Sequence, residues 1–488
     1  MTATAQSDTA ATTTPTYGEQ LLTLERRGVD PVPPAERHGR PSSQLTLWLG
    51  GNLTIADFAL GFLPVTLGLP WSWAIAAVLI GNVAGALAVA CCSPMGPAFG
   101  LPQLVLGRTT FGRLGAGLPA ACNYLSTLGW LTVNTILGAF GLRVLLPGLP
   151  FWAAALVLVC VQGLLAVYGH NLIHGFERVM AVVLGVVFLV VTVLALTHGA
   201  RLAAYHPGHV AHWAAFAVMV AAAFSYVGAW APYASDYSRY LREDSSGASV
   251  AAYSFVGSFV GSAWLELVGA MVAVLAIGRH GDAIAELHST TTAGFAGVAV
   301  VAIVLGGIAA NALNAYSNAL SAGALGIRLP RWSLTVAACT IAFVAAMAGS
   351  GSFETNYEEF LLMLGYWITP WLGVLVADFY VLGRRPRPGG PGPMELVASA
   401  PAVSWAGVAA FVVGGLAAVP FMDGPLYEGP VARLLGGADL SYYVGFTVAL
   451  ALYLVAAATR ARRSPAAFAA RATAGGPATA IRARRTAP

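Results

Sequence analysis

The chain has 488 residues, 57% of them hydrophobic and only 9% charged, with 25 basic and 21 acidic side chains and a formal net charge of +4. Soluble domains carry about 25% charged residues, so one or several water-soluble domains are excluded, and a large extramembrane catalytic domain with them. The composition is that of a polytopic membrane protein. All 25 basic residues are arginine, and their placement, given below, explains the basic excess better than a nucleic-acid partner would. Cys91, Cys92, Cys122, Cys160 and Cys339 are odd in number, include one adjacent pair and sit in apolar surroundings. They read as buried free thiols, not as a disulfide framework or metal site. The first 40 residues are rich in Thr, Ala and Pro without an apolar core, so no cleavable signal peptide is expected. Both tails are expected to be disordered.

Taken in chain order, uncharged apolar stretches of roughly 20 residues, the length that crosses a bilayer, predict twelve helices. They cover 45–68, 72–92, 114–141, 150–168, 176–197, 211–233, 250–277, 292–320, 332–349, 359–382, 400–420 and 440–458. With the N-terminus inside, only Arg143, Arg201, Arg279 and Arg433 fall on the outer side. That bias places both termini in the cytoplasm of a multi-pass cell-membrane protein. The expected organisation is a cytoplasmic tail (1–44), two five-helix halves (45–197 and 211–382), two additional helices (400–458) and an Arg-rich cytoplasmic tail (459–488). Connections are short apart from Gly/Pro-rich stretches at 93–113 and 383–394. The first of these carries Phe99, Leu101, Leu104, Val105 and Leu106. It is too apolar for a solvated loop, and either follows or dips into the membrane or packs as a connector.

Two spans are interrupted. The first contains Gly50-Gly51-Asn52, then Gly61 and Pro64; the sixth contains Gly228-Ala229-Trp230-Ala231-Pro232. Inside a bilayer a broken helix is tolerated only where it lines a cavity or is buried in protein. If the two halves have opposite topology, these breaks are equivalent and point to a transporter's central site; close glycine packing is the competing explanation. On the third span Trp130 and Asn134 share a helical face, as do Asn311 and Asn314, followed by Ser317, on the eighth. Amides in hydrocarbon need partners, which can be other helices or a ligand. Trp130 and Trp230 lie near mid-span, although membrane tryptophan prefers the interface. Two indoles and several amides suit a flat, uncharged, hydrogen-bonding heterocycle.

Asp57 in the first span and Glu266 in the seventh each cost about 2.5–3.5 kcal/mol or more when charged at the membrane centre. Both should face the interior as candidates for ion or proton coupling, with a structural role as the alternative. Asp236 beside Arg239 and Asp378 beside Arg384 read as structural or gating ion pairs, and His170 and His174 as solvated residues of the loop before the fifth span. No metal-ligand spacing, phosphate loop or nucleophile–base pair emerges, so neither enzyme chemistry nor a cofactor is expected.

The runs Glu25-Arg26-Arg27-Gly28-Val29-Asp30-Pro31-Val32-Pro33-Pro34-Ala35-Glu36-Arg37, Trp48-Leu49-Gly50-Gly51-Asn52-Leu53-Thr54 and Gly100-Leu101-Pro102-Gln103 occur in order with three further pieces. These are Arg108 with Phe111-Gly112, Gly129-Trp130 with Asn134, and Tyr233-Ala234-Ser235-Asp236-Tyr237-Ser238-Arg239-Tyr240. Together they resemble the purine–cytosine permease branch of the class-one nucleobase:cation symporter family, over about residues 20 to 385. The resemblance implies an all-α, LeuT-like five-plus-five inverted repeat with two extra helices. It also implies a heterocycle held between Trp130 and Trp230 and read by Asn134, Asn311 and Asn314, with the broken stretches near Gly50, Asn52 and Gly228 lending backbone groups. Sodium-coupled members of the family carry hydroxyl side chains about one turn before the first eighth-span Asn, where this chain has Leu305, Gly306 and Gly307. That departure favours H+ over Na+ as the coupling ion. Asp57 is less typical of the family. The expectation is a secondary transporter importing cytosine, a purine or a related heterocycle, with the lipid bilayer as surroundings and no obligate protein partner. The rivals are a transporter of amino acids or other small polar solutes on the same fold, a major-facilitator protein and, at low weight, an intramembrane enzyme.

Overall fold

The computed structural model describes residues 25, 28–207, 212–278, 282–291, 293–386, 390–424 and 427–463. The C-terminal tail from 464 and most of the first 27 residues lie outside the described residues. The first span is Ser43–Asn52 followed, across a 54° bend, by Ile55–Thr66. The second to fifth spans are Trp71–Cys92, Gly117–Leu145, Phe151–Tyr168 and His170–Leu196. The sixth, His212–Gly228, resumes as Ala234–Ser238 after a 3-10 turn at Ala231–Tyr233. Gly247–Leu275 and Ala293–Ala324 are the seventh and eighth.

A 51-residue helical stretch, Arg331–Val381, follows. Straight, it would measure about 76 Å at 1.5 Å per residue, against a hydrocarbon core of about 30 Å. The backbone leaves helical values at Ser352 (φ −129°, ψ 40°), dividing it into Arg331–Gly349 and Phe353–Val376, the ninth and tenth spans. Ser441–Arg463 is a further span, and the shorter apolar helix Trp405–Ala418 packs beside it; counted together, the described residues hold twelve apolar helical segments.

Packing reveals the internal repeat. The first span lies against the seventh and the sixth against the second; the first meets the fifth and the sixth meets the tenth. Third–fourth and eighth–ninth contacts correspond in the same way, as do fourth–eighth and ninth–third, and the third and eighth pack on each other. Adding five to each span number maps this set onto itself, as two equivalent five-helix units require. The last two spans pack with the tenth outside this scheme.

Three expectations are corrected. The fifth span begins at His170, one residue after Gly169, whose φ of +93° turns the chain out of the fourth. His170 and His174 are therefore helical rather than loop residues. His170 is buried with its ring stacked on Tyr240 at 4.0 Å between centroids. Residues 28–40 of the N-terminal tail are ordered against the bundle. The Val32 N–H donates to the Gly100 carbonyl, and the Arg37 guanidinium donates to the carbonyls of Val32 and Pro97. Cys160, expected to be buried, is exposed.

Of the alternatives for 93–113, the packed connector is observed. Met95–Phe99, Gln103–Leu106 and Arg108–Phe111 are short helices that bury Phe99, Leu101, Leu104 and Phe111. A further helix, Ala283–Thr290, lies between the seventh and eighth spans, N-capped by the Asp282 carboxylate.

The first and seventh spans touch backbone to backbone. A Cβ on Gly269 would fall 2.1 Å from the Phe58 carbonyl oxygen, and one on Gly61 2.2 Å from that of Glu266. Overpacking costs about 1–3 kcal/mol, and here the obstacle is main chain. Gly269→Ala should therefore lower the apparent Tm in detergent, whereas Gly185→Ala, with open space around it, should leave it unchanged.

Candidate functional site

Both broken helices meet at the centre of the bundle. After Asn52 the backbone leaves the helix at Leu53 (φ −78°, ψ 66°) and restarts with Thr54 as N-cap, its hydroxyl accepting the Asp57 N–H. Asn52 Nδ2 donates to the Trp48 carbonyl, and Asn52 Oδ1 accepts the Trp230 indole N–H at 2.9 Å. Thr54 Oγ1 lies 2.7 Å from the Tyr226 hydroxyl. Tyr357 donates to the Ala56 carbonyl, and Tyr237 to that of Leu313.

Trp130 and Trp230 are each only 5% exposed, so neither indole faces acyl chains. Trp130 is enclosed edge-on by Phe360 at 5.1 Å, Tyr226 at 5.2 Å and Tyr357 at 6.4 Å. Trp230 is flanked by Tyr233 at 5.4 Å and Trp48 at 5.6 Å. Tyr226 stands one helical turn before Trp230, which joins the two enclosures into one aromatic lining.

The amides form a chain whose polarity is fixed at backbone carbonyls. Thr135 Oγ1 donates to the Leu131 carbonyl and accepts from Gln162 Nε2. Gln162 Oε1 therefore faces Asn311 Nδ2, which donates to it at 2.9 Å and to the Leu131 carbonyl at 3.0 Å. Asn311 Oδ1 accepts from Asn134 Nδ2 and Asn314 Nδ2. Asn134 Nδ2 also donates to the Trp130 carbonyl, and Asn314 Oδ1 accepts from Tyr233. Asn311 is thus saturated by protein. Two buried polar atoms of this cluster have no partner: Asn134 Oδ1, an acceptor, and Trp130 Nε1, a donor.

Gly51 faces Trp230 and Leu313, whereas Gly50 faces Glu177 of the fifth span. Gly228 packs by its N–H against Gly85 of the second span. Asp57 and Glu266 come together: Ser262 Oγ is 2.9 Å from Asp57 Oδ1 and 3.2 Å from Glu266 Oε1. All three residues are buried. The Ser262 hydroxyl, which has one proton to give, is therefore shared between two carboxyl groups.

Asp236 does not pair with Arg239; it accepts the N–H of Gln103, whose Oε1 accepts from Ser235. It braces the connector against the resumed sixth span. The Asp378–Arg384 pair is present at 3.2 Å, with Tyr453 and Thr110 also donating to the carboxylate. Arg239, fully buried, takes Glu25 as partner at 3.1 Å. Glu25 also accepts from Tyr240, from Tyr316 and from the His170 backbone N–H, with Arg331 at 4.0 Å. This carboxylate therefore ties the fifth, sixth, eighth and ninth spans at the arginine-rich end. Breaking a buried pair by removing one partner costs about 3–5 kcal/mol. Glu25→Ala should lower thermal stability accordingly, and Arg242→Ala, which breaks only the exposed pair with Asp244, should not.

Sequence reasoning missed Gln162, Tyr226 and Glu177, and named Trp48 and Tyr233 only within the runs that carry the family resemblance, with no role at the site. Gln162 was detectable as a lone amide in an apolar span, by the argument that found the asparagines. The tyrosines carried no such signal, because their rings suit a core as well as a site.

Broken helices at matching places in two equivalent five-helix units, enclosing buried amides and indoles, define a secondary-transporter architecture. Residues 31–445 match the family of permeases for cytosine/purines, uracil, thiamine and allantoin, and the chain belongs to that family. It is a membrane permease and not an enzyme. It is 28% identical over 446 residues to YxlA of Bacillus subtilis, provisionally named a purine-cytosine permease, covering 89% of this chain and 96% of that one. It is 27% identical over 451 residues to the purine-cytosine permease fcyB of Emericella nidulans, covering 89% and 88%. Its fold matches the closed conformation of Mhp1, a nucleobase-cation-symport-1 family transporter with bromovinylhydantoin bound, with a TM-score of 0.73 at 18% identity over 90% of this chain and 97% of that one. This is the LeuT-like fold expected from the sequence.

Proposed function

We propose that the protein imports a planar, neutral nucleobase, cytosine or a purine first, in symport with protons, by alternating access about the two helix breaks. The observation that carries this reading is the pair of unpartnered atoms beside the aromatic lining, Trp130 Nε1 and Asn134 Oδ1. A base presents acceptor and donor groups along one edge of a flat ring, the complement of that pair. Trp130 and Trp230 supply ring faces, and Asn134 and Asn314 read the edge. Asn311 and Gln162 act behind them, holding Asn134 with its oxygen outward. The names of the purine-cytosine permeases above support the same substrate class.

Proton coupling is supported by the shared contact of Asp57, Ser262 and Glu266. It is further supported at Leu305-Gly306-Gly307, which offers no side-chain oxygen where Gly306 faces the Leu53 carbonyl. The arginine-rich end is assigned to the cytoplasm of the cell membrane.

Uptake measured with sodium and pH varied independently tests the coupling: accumulation should follow an inward proton gradient and ignore sodium. Trp230→Ala should reduce saturable uptake at least tenfold with membrane insertion intact, and full uptake by this variant would remove the site. A base methylated at every N–H on its donor edge should compete at least tenfold more weakly than its parent. Leaving a buried acceptor unsatisfied costs about 1–3 kcal/mol.

A further inference from the structure

Glu177 is fully buried in the fifth span with neither carboxyl oxygen partnered, and the site described above does not use it. It lies against the first span just before the break. A Cβ on Gly50 would fall 2.5 Å from Glu177 Oε2 and 2.7 Å from the Glu177 backbone carbonyl. The next residue, Gly51, faces Trp230 and Leu313. One short piece of helix therefore separates a lone carboxyl from the indole that the proposed substrate would touch.

The surroundings of Glu177 offer no compensating charge. On its own helix His174 stands one turn earlier and Arg178 follows it; from the first span Gly50 faces it, and among the described residues no ion pair or hydrogen bond reaches its carboxyl oxygens. An ionised carboxylate removed from water without a partner costs several kcal/mol. The packed arrangement therefore requires the neutral acid. Ionisation requires water at Oε2, and water reaches that atom when the first span moves away from Gly50's position against the fifth.

We propose that Glu177 is the proton-release group of the transport cycle. It holds a proton while the first and fifth spans are packed and loses it to cytoplasmic water when the first span swings away. One O–H bond on the carboxyl breaks, the proton passes to water, and the carboxylate stays hydrated until the spans close. On closure Glu177 takes a proton from the Asp57–Glu266 pair, and that pair is reloaded from external water when the opposite face opens. Because packing at Glu177 requires a proton there and each cycle draws its replacement from external water, a proton gradient biases which form is populated. This role rests on the proton-symport reading given above.

The test uses the full chain in proteoliposomes, with whichever of radiolabelled cytosine, adenine or hypoxanthine the wild type transports. Equilibrium exchange and gradient-driven accumulation are measured for the wild type, E177Q and E177D. The Gln amide resembles the neutral acid in shape, so E177Q should keep exchange within about threefold of wild type. It should lose at least tenfold in accumulation and no longer respond to external pH. E177D retains a titratable group and should recover part of the accumulation. Wild-type accumulation by E177Q, loss of its exchange, or an E177D as defective as E177Q would each overturn the role of Glu177. A wild type driven by sodium and not by protons would instead overturn the coupling reading on which this role rests.

Discussion

A helix that stops within hydrocarbon leaves main-chain groups that no water can satisfy, and here the residues that satisfy them are those that build the site. Tyr357 closes the Ala56 carbonyl, Thr54 closes the Asp57 N–H, and Asn52 spans the first break to the Trp230 indole. Tyr226 touches Thr54 with its hydroxyl and Trp130 with its ring. The breaks therefore cannot shift without moving the aromatic lining, and a guest that alters the lining acts on the breaks. In the proposed cycle, these shared hydrogen bonds would couple binding to helix movement.

Direction matters as much as position. An amide can present either end, and its shape alone does not say which. In this cluster the choice is forced, because Asn134 and Asn311 donate to the carbonyls of Trp130 and Leu131, which can only accept. Gln162 adds a second constraint through Thr135. Fixing the oxygen of Asn134 outward before any guest arrives removes a reorganisation cost from binding, the general benefit of a preorganised polar site.

Much of this was legible in the sequence. The twelve spans, both breaks and the Asp57, Glu266, Trp130 and Trp230 positions follow from apolar length, glycine and proline placement, and the rarity of polar groups in lipid. What escaped depends on long-range pairing. Arg239 was read with its neighbour Asp236, but its partner is Glu25, over two hundred residues earlier, and no local rule links them. His170 and His174 were read as solvated because polar residues between apolar stretches usually are. Tyr240, stacked on His170, lies just past the resumed sixth span, far away in sequence, and was invisible to that argument. Asn311 was expected to read a guest, but its neighbours consume every donor and acceptor it has.

The Glu25 cluster also bears on how the arginine-rich end opens. While closed, it keeps Arg239 dry and paired with Glu25, so a variant lacking the carboxylate suffers the full penalty of a stranded charge. Opening is a different process from deletion. Separation of the sixth span from the eighth and ninth admits water to both Arg239 and Glu25, and hydration replaces much of what the ion pair supplied. Exposed pairs contribute about 0–1 kcal/mol, so the closed form is favoured by far less than the mutational cost suggests. Inverting a 1:99 equilibrium requires about 5.5 kcal/mol of differential affinity. A clasp whose breakage stranded its charges would add several kcal/mol to that demand, whereas one that is wetted as it parts adds little. A dry carboxylate–arginine pair at a solvent-accessible end can therefore secure the closed form without preventing the transition that transport requires.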